Sequence, residues 1–443
     1  VTTIGLEIGT RTLNSNKKGD IMGIRASRLG RGVGLVLSLS LLWAAPGAAA
    51  EKVFKLGVVG AYTGPSSQNG AEFKASVTMA LEKIQYQIGE YKIEPVWIDE
   101  QNDPAKASSA YAEAIERSGI QAGILDWTTT ASMPIMDLTA QYKVPHMFTE
   151  GASSIINDKY NSDKAKYSYW GGKFWPVPSK LVVGYVDCLN DAIERGLWKP
   201  QSKLVAIYGE DTDWGRNAGV AYKAAFEKAG WKVVSEDYAP TTQTDFYPLL
   251  AKYKKAGVSV LAGTANAPPF MSAFIKQTAE VGLKAAIIAD GVGWIGDWYK
   301  LTGPSSNFVL DMVPLLTSPA ALEWSSAVEK KYGFKPSPSA GGFAYDATNF
   351  FIKIAKRAIE EYKVLDKESI YKVMTQEVNT GELTFTKADG AIVMEEYKFT
   401  PESMPDAVVG QKYYYFPVIQ YTNGQGKIVH PANMRQQDFQ VRP

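Results

Sequence analysis

The chain has 443 residues with 47 Lys and Arg against 46 Asp and Glu; six basic and two acidic residues fall in the first 50, so the other 393 carry 41 against 44, a balance that excludes nucleic acid as an obvious partner. A hydrophobic fraction of 45% with 21% charged residues excludes global disorder and is enough for two buried cores, the number a chain of this length calls for. A single cysteine excludes both a disulfide framework and a thiolate metal cluster.

Val1 to Ala50 reads as leader, with the true start expected at Met22. Arg25, Arg28 and Arg31 are followed by an apolar run from Gly32 to Ala45 and by Ala48-Ala49-Ala50 before Glu51, the pattern of a cleaved secretory signal. The apolar run has 14 residues, short of the roughly 20 that span a bilayer. No cysteine lies near the cleavage site to take a lipid, so the mature chain is expected free in a bacterial periplasm.

From Lys52 onward short apolar runs alternate with amphipathic ones. Phe54 to Val59 is a predicted strand, and Phe73, Val77, Ala80, Leu81 and Ile84 follow at helical spacing. Lys92 to Asp99 is the next strand, and Asp103-Pro104 supplies an N-cap and a first-turn proline for a helix. Ala122 to Leu125 and His146 to Phe148 are strands flanking a helix near Ser132 to Tyr142. Tyr169 to Pro178, rich in Trp, Gly and Pro, breaks the rhythm and reads as a crossover. A second run has strands at Leu204 to Tyr208, Lys232 to Tyr238, Val258 to Ala262 and Ala286 to Asp290, with Gly230, Gly257 and Gly282 where the helices between them should stop. Phe308 to Val313, a long helix over Tyr345 to Tyr362 and a turn-rich stretch from Leu383 to Ile419 complete the pattern. The fold class this implies is α/β, with two doubly wound parallel-sheet lobes.

Lys55-Leu56-Gly57-Val58-Val59-Gly60, Thr63-Gly64-Pro65, the stretch from Asp99 to Asp103-Pro104 and Tyr208-Gly209-Glu210-Asp211 together resemble the branched-chain amino acid binding proteins, the periplasmic receptors of ATP-driven importers. The likeness runs from about residue 53 to about 425. It implies a type I architecture, two lobes joined by three crossovers, with 51–172 and 312–383 in the first lobe and 173–311 and 384–443 in the second. It also implies a monomer, a permease in the inner membrane as partner, and no cofactor. Related families bind amides, urea or aromatic acids, so the resemblance bears on the job more than on the cargo.

In that family the ligand sits between the lobes, outside the carboxyl ends of the strands. The resemblance places Trp127, Thr128, Thr129 and Thr130 where a Ser/Thr run holds a ligand carboxylate, and Gly151 and Ser153 in the loop that completes that site. Both loops precede helices, whose exposed N–H groups favour an anion. Ser or Thr in these places is also an ordinary N-cap, and the two roles are compatible. Asp290, before Gly291, takes the position of an ammonium-binding acid and is expected ionised and turned towards the cleft. Ala265 stands where well-known members have a gripping tyrosine, Trp214 supplies the second lobe's aromatic wall, and the first lobe's paired cysteines are missing, with Asn102 and Asp126 near their places.

Trp127, Trp214 and Trp294 at predicted strand ends are expected to line the cleft, while Trp170 and Trp175 brace the crossover. Gly291 to Gly296 matches a dinucleotide fingerprint, but Gly303-Pro304 arrives too soon for the helix that would carry a pyrophosphate. Cys188 falls on a helical apolar stripe, and His146 and His430 are too few and too far apart for zinc. The reading is a receptor that closes around a small amino acid or related carboxylate. An aromatic acid or amide is the alternative cargo; a secreted enzyme and a sensory domain are the rivals, and no catalytic constellation supports the former.

Overall fold

The computed structural model describes residues 51–442, apart from positions 296 and 315 and the side chain of Trp294. The expected leader and its start at Met22 lie outside these residues. Strand β1 (Lys52–Gly60) leads into α1 (Ser67–Lys83), then β2 (Gln87–Ile88), β3 (Tyr91–Asp99), α2 (Pro104–Glu113), β4 (Ala122–Ile124), α3 (Thr129–Tyr142), β5 (His146–Met147) and α4 (Ser154–Ser162). These strands form one sheet in the order β2-β3-β1-β4-β5, parallel except at β2.

After α5 (Val183–Glu194) the second run follows: β6 (Leu204–Glu210), α6 (Asp213–Lys228), β7 (Lys232–Ala239), α7 (Tyr247–Ala256), β8 (Val260–Thr264), α8 (Pro268–Glu280), β9 (Ala286–Asp290), α9 (Trp298–Thr302) and β10 (Val309–Met312). The chain then forms α10 (Pro319–Tyr332), α11 (Ala340–Tyr362), α12 (Lys367–Val373), the short pair β11 (Phe385–Thr386) and β12 (Glu396–Tyr397), and finally β13 (Val418–Thr422) and β14 (Gln425–His430). The second sheet runs β14-β13-β10-β9-β8-β6-β7, with β13 and β14 antiparallel to their neighbours. Two parallel-sheet lobes are thus joined by three crossings, after β5, after β10 and after β12. No helix among the described residues is long and apolar enough to cross a membrane.

Local chemistry accounts for most boundaries. Asp103 caps α2 by accepting from Ala105 N and Lys106 N, ahead of Pro104. Gly257 ends α7 in the left-handed region, at φ 65°. Helix α11 starts at Ala340, earlier than its predicted start at Tyr345, because its first turn is bound from outside. Glu72 on α1 accepts from Ser337 N at 2.7 Å and Gly341 N at 3.1 Å. The buried face of α11 then packs on the first lobe, with Phe350 stacked on Phe148 and Phe351 against Phe54.

A lobe boundary at 384 does not match this packing. Phe385 stacks on Phe350, and Asp346 on α11 accepts from Ile392 N, Val393 N and the Tyr397 hydroxyl. The β11–β12 pair therefore lies on α11, and the third crossing comes after it. That crossing is fastened to the first one: Lys173 pairs with Asp406 at 2.9 Å, both fully buried, and Lys180 reaches the other carboxylate oxygen at 2.7 Å.

Candidate functional site

The loops leaving β4, β5, β6 and β8 meet between the two sheets around a small, partly open space. Three indoles, Trp127, Trp175 and Trp214, form its walls, and Glu150, Gly151 and Asn266 bring its polar groups. Thr129 and Ala152 complete the lining. A wider opening of about 980 Å³ shares Thr129, Trp214 and Asn266 and adds Thr128 and Thr130. The lobes touch beside the cavity, where Ser154 N donates to Asn217 Oδ1 at 3.0 Å and Asn217 Nδ2 donates to Ser154 Oγ at 2.8 Å. Bonds between α4 and α6 across the cleft describe a closed arrangement.

Each wall is set by its own partners. Trp127 lies edge-on to Phe73 at 5.8 Å, and Trp214 is fixed by its Nε1–H, which donates to Thr264 Oγ1 at 3.1 Å. Asn266 is held through its N–H and its Nδ2 by Glu210, whose carboxyl burial pushes up to about 7. Trp175 comes from the first crossing, packed on Phe343 and Phe416.

Several of the first lobe's donors are occupied by its own acids. Trp127 N and the Thr128 hydroxyl donate to Glu100, at 3.1 and 3.2 Å. Glu150 N and Gly151 N both donate to Asp126 Oδ1 at 3.1 Å, and Ser132 Oγ donates to Oδ2. Burial, then the charge of Asp126, holds Glu100 well above the usual carboxylate range; burial pushes Asp126 up to about 6. Glu150 is raised by burial first and then by Asp126, Glu72 and Glu100. It is 7% exposed, and its Oε1 has no hydrogen-bond partner among the described residues.

Of the residues expected here, Trp127, Thr129, Gly151 and Trp214 line the cavity, and Thr128 lines the opening while capping α3 at Ala131 N. Ser153 does not reach the space. It is fully buried, caps α4 and donates its N–H to Thr129 Oγ1 at 3.1 Å. Ala265 is also behind the wall, and its neighbour Asn266 takes the place. The described side chains leave Trp294 out. Asn266 was not singled out from the sequence, Glu150 entered only as the first residue of the loop Glu150 to Ser153, and Trp175 was expected to brace the crossover rather than line the cleft.

Asp290 corrects the expectation most. It is buried away from the cavity lining, with Tyr222 Oη 3.4 Å from its carboxylate, and burial followed by the neighbouring Asp311 holds it well above the usual range. Asp311, pushed up by burial to about 6, takes the N–H groups of Gly291 and Gly293, which disposes of the dinucleotide fingerprint as a phosphate cradle. The folded protein therefore holds a proton on Asp290 that the unfolded chain releases above about pH 4, and stability falls as pH rises from there through the folded value. Asp290→Asn is expected to flatten that fall and leave solute affinity unchanged. Thermal denaturation between about pH 5 and about pH 8 reads the first, and a steeper fall in the variant would refute it. His146 is a neutral structural residue, its Nε2 donating to Leu125 O at 2.6 Å while Nδ1 accepts from Tyr111 Oη, and Cys188 is buried with its thiol pushed up to about 12.

The profile of the periplasmic binding protein family matches residues 53–402. The chain belongs to the periplasmic binding protein family. A Leu/Ile/Val-binding protein homologue from Brucella suis biovar 1 (strain 1330) is 27% identical over 251 residues, so the match spans 56% of this chain and 60% of that relative. Among solved periplasmic binding proteins, a branched-chain amino acid ABC transporter protein from Thermus thermophilus with bound valine superposes with a TM-score of 0.69 at 20% identity, covering 86% of this chain and 96% of that one. A solute-binding protein from Rhodopseudomonas palustris BisB5 in complex with 3,4-dihydroxybenzoic acid gives a TM-score of 0.67 at 19% identity, covering 84% and 95%. One fold thus accommodates both an aliphatic amino acid and an aromatic acid.

Proposed function

We propose that this chain is the solute receptor of an ATP-driven importer, closing two lobes on a small amine-bearing molecule of amino-acid size in the periplasm and presenting the closed form to a membrane permease. The observation that carries the reading is the cavity itself: its walls come from both lobes, and Ser154 and Asn217 clasp the lobes beside it. A ligand that touches both lobes favours the closed form, and hinge closure of this kind needs no chemistry. The relatives named above support transport as the purpose. Of the amino-acid reading the amine is retained with a change of contact, since Asp290 is withdrawn and Glu150 is the acid beside the cavity.

Indole fluorescence and thermal stability test this together. A bound solute should change the emission of Trp127 and Trp214 as the lobes close, and at a hundredfold excess over Kd it should add about 2.7 kcal/mol to stability. Trp127→Phe and Trp214→Phe should each reduce the signal and weaken binding. If both variants keep wild-type signal and affinity, the solute binds elsewhere.

A further inference from the structure

Much of what the first lobe would offer a carboxylate is already engaged. The N–H groups of Trp127, Glu150 and Gly151 and the Thr128 hydroxyl are all directed to Glu100 or Asp126, and Ser153 N–H goes to Thr129. The open group is an acceptor, Glu150 Oε1, nine-tenths buried and lining the cavity. Glu72, Glu100 and Asp126 stand behind it, close enough to act on its carboxyl. Lys173, the buried cation nearby, is committed to Asp406. An anion here would disfavour ionisation of this group of acids, whereas a cation would favour it.

Three indoles line the same space, and the π-face of Trp attracts cations more strongly than that of Tyr or Phe. Resting on the receptor reading above, we infer that the solute is an alkylated ammonium, its charge met by Glu150 and its methyl groups laid against Trp127, Trp175 and Trp214. A primary ammonium brings three N–H donors that each need an acceptor, whereas a methylated one asks for one counter-charge and apolar walls. The cavity offers the second combination. One unpartnered donor, the buried indole N–H of Trp127, can meet a neutral hydroxyl on such a cation but cannot offset the acids.

Calorimetry and indole fluorescence on the full mature chain, with tetramethylammonium, choline, ethanolamine, leucine and 3,4-dihydroxybenzoate as probes, test this. Choline and tetramethylammonium should bind and change the emission, with ethanolamine at least about tenfold weaker than choline, the difference one lost cation–π box can make. Glu150→Gln should weaken choline by at least about tenfold. Its melting temperature should stay level or rise, because a buried acid among acids is neutralised. Trp175→Leu should weaken choline as well, so the inference does not hang on one variant. Leucine or 3,4-dihydroxybenzoate binding while choline is silent would overturn the cation and leave the receptor standing. Ethanolamine tighter than choline, or choline binding unchanged in Glu150→Gln, would also overturn it, and binding of no probe would count against both readings.

Discussion

Lys173→Met is expected to lower the unfolding free energy by about 3 kcal/mol or more, the range for breaking a buried ion pair from one side. The variant leaves Asp406 buried between the first and third crossings with Lys180 alone, a half-exposed partner on one oxygen. Burial pulls the Asp406 carboxyl up, and Lys173 and Lys180 more than offset it, holding it below its ordinary value. Its contribution is therefore present above about pH 4 and lost as pH falls through the folded value, so the variant should also lose part of the wild type's acid sensitivity. Lys180→Met should cost about 1 kcal/mol or less, because that lysine is already in contact with water. Urea denaturation of the two variants and of Lys173→Met/Asp406→Leu decides it. If Lys173→Met costs no more than Lys180→Met, the ion pair is not what ties the crossings together.

Asp346→Ala should cost about 3 to 5 kcal/mol, since each buried donor left without an acceptor costs about 1–3 kcal/mol and three lose theirs. Ile392 N, Val393 N and Tyr397 Oη lie 2.9, 3.0 and 2.7 Å from the carboxylate. Burial pushes this carboxyl up to about 7, with those donors holding it back from a larger rise. Asp346→Asn keeps one acceptor oxygen and should lose about half as much. Chemical denaturation compares them, and proteolysis should find the segment from Phe385 to Tyr397 first in the alanine variant. Equal stability of both variants and the wild type would show that stacking of Phe385 and Tyr397 holds the segment without Asp346.

The alternation of strand and helix through β9 was legible because each element declares itself within a dozen residues: apolar runs for strands buried on both faces, helical spacing for α1, capping residues at Asp103, Thr128 and Ser153. Elements that depend on a distant partner were not. β2 and β14 were missed, and β11 and β12 were assigned to the wrong lobe, because two- to six-residue stretches become strands only when a neighbour supplies the ladder. The long helix was read five residues short for the same reason, its first turn resting on Glu72 from 265 positions earlier.

The site divides along the same line. Thr129, Gly151, Trp127 and Trp214 were placed at the cavity through the family resemblance, which sets the ligand beyond the carboxyl ends of parallel strands, and those ends converge whatever side chains the loops carry. Which charges face the cavity could not, since that is settled by contacts between segments far apart in the chain. Asp290 is drawn inward among Tyr222 and Asp311, and Glu100 and Asp126 take the N–H groups of Trp127, Glu150 and Gly151 in the loops ahead of the helices. Periodicity records which face of an element is buried; the polarity of a cavity is the sum over groups that only tertiary packing brings within a few ångströms, and here that sum leaves one open acid within three indole walls.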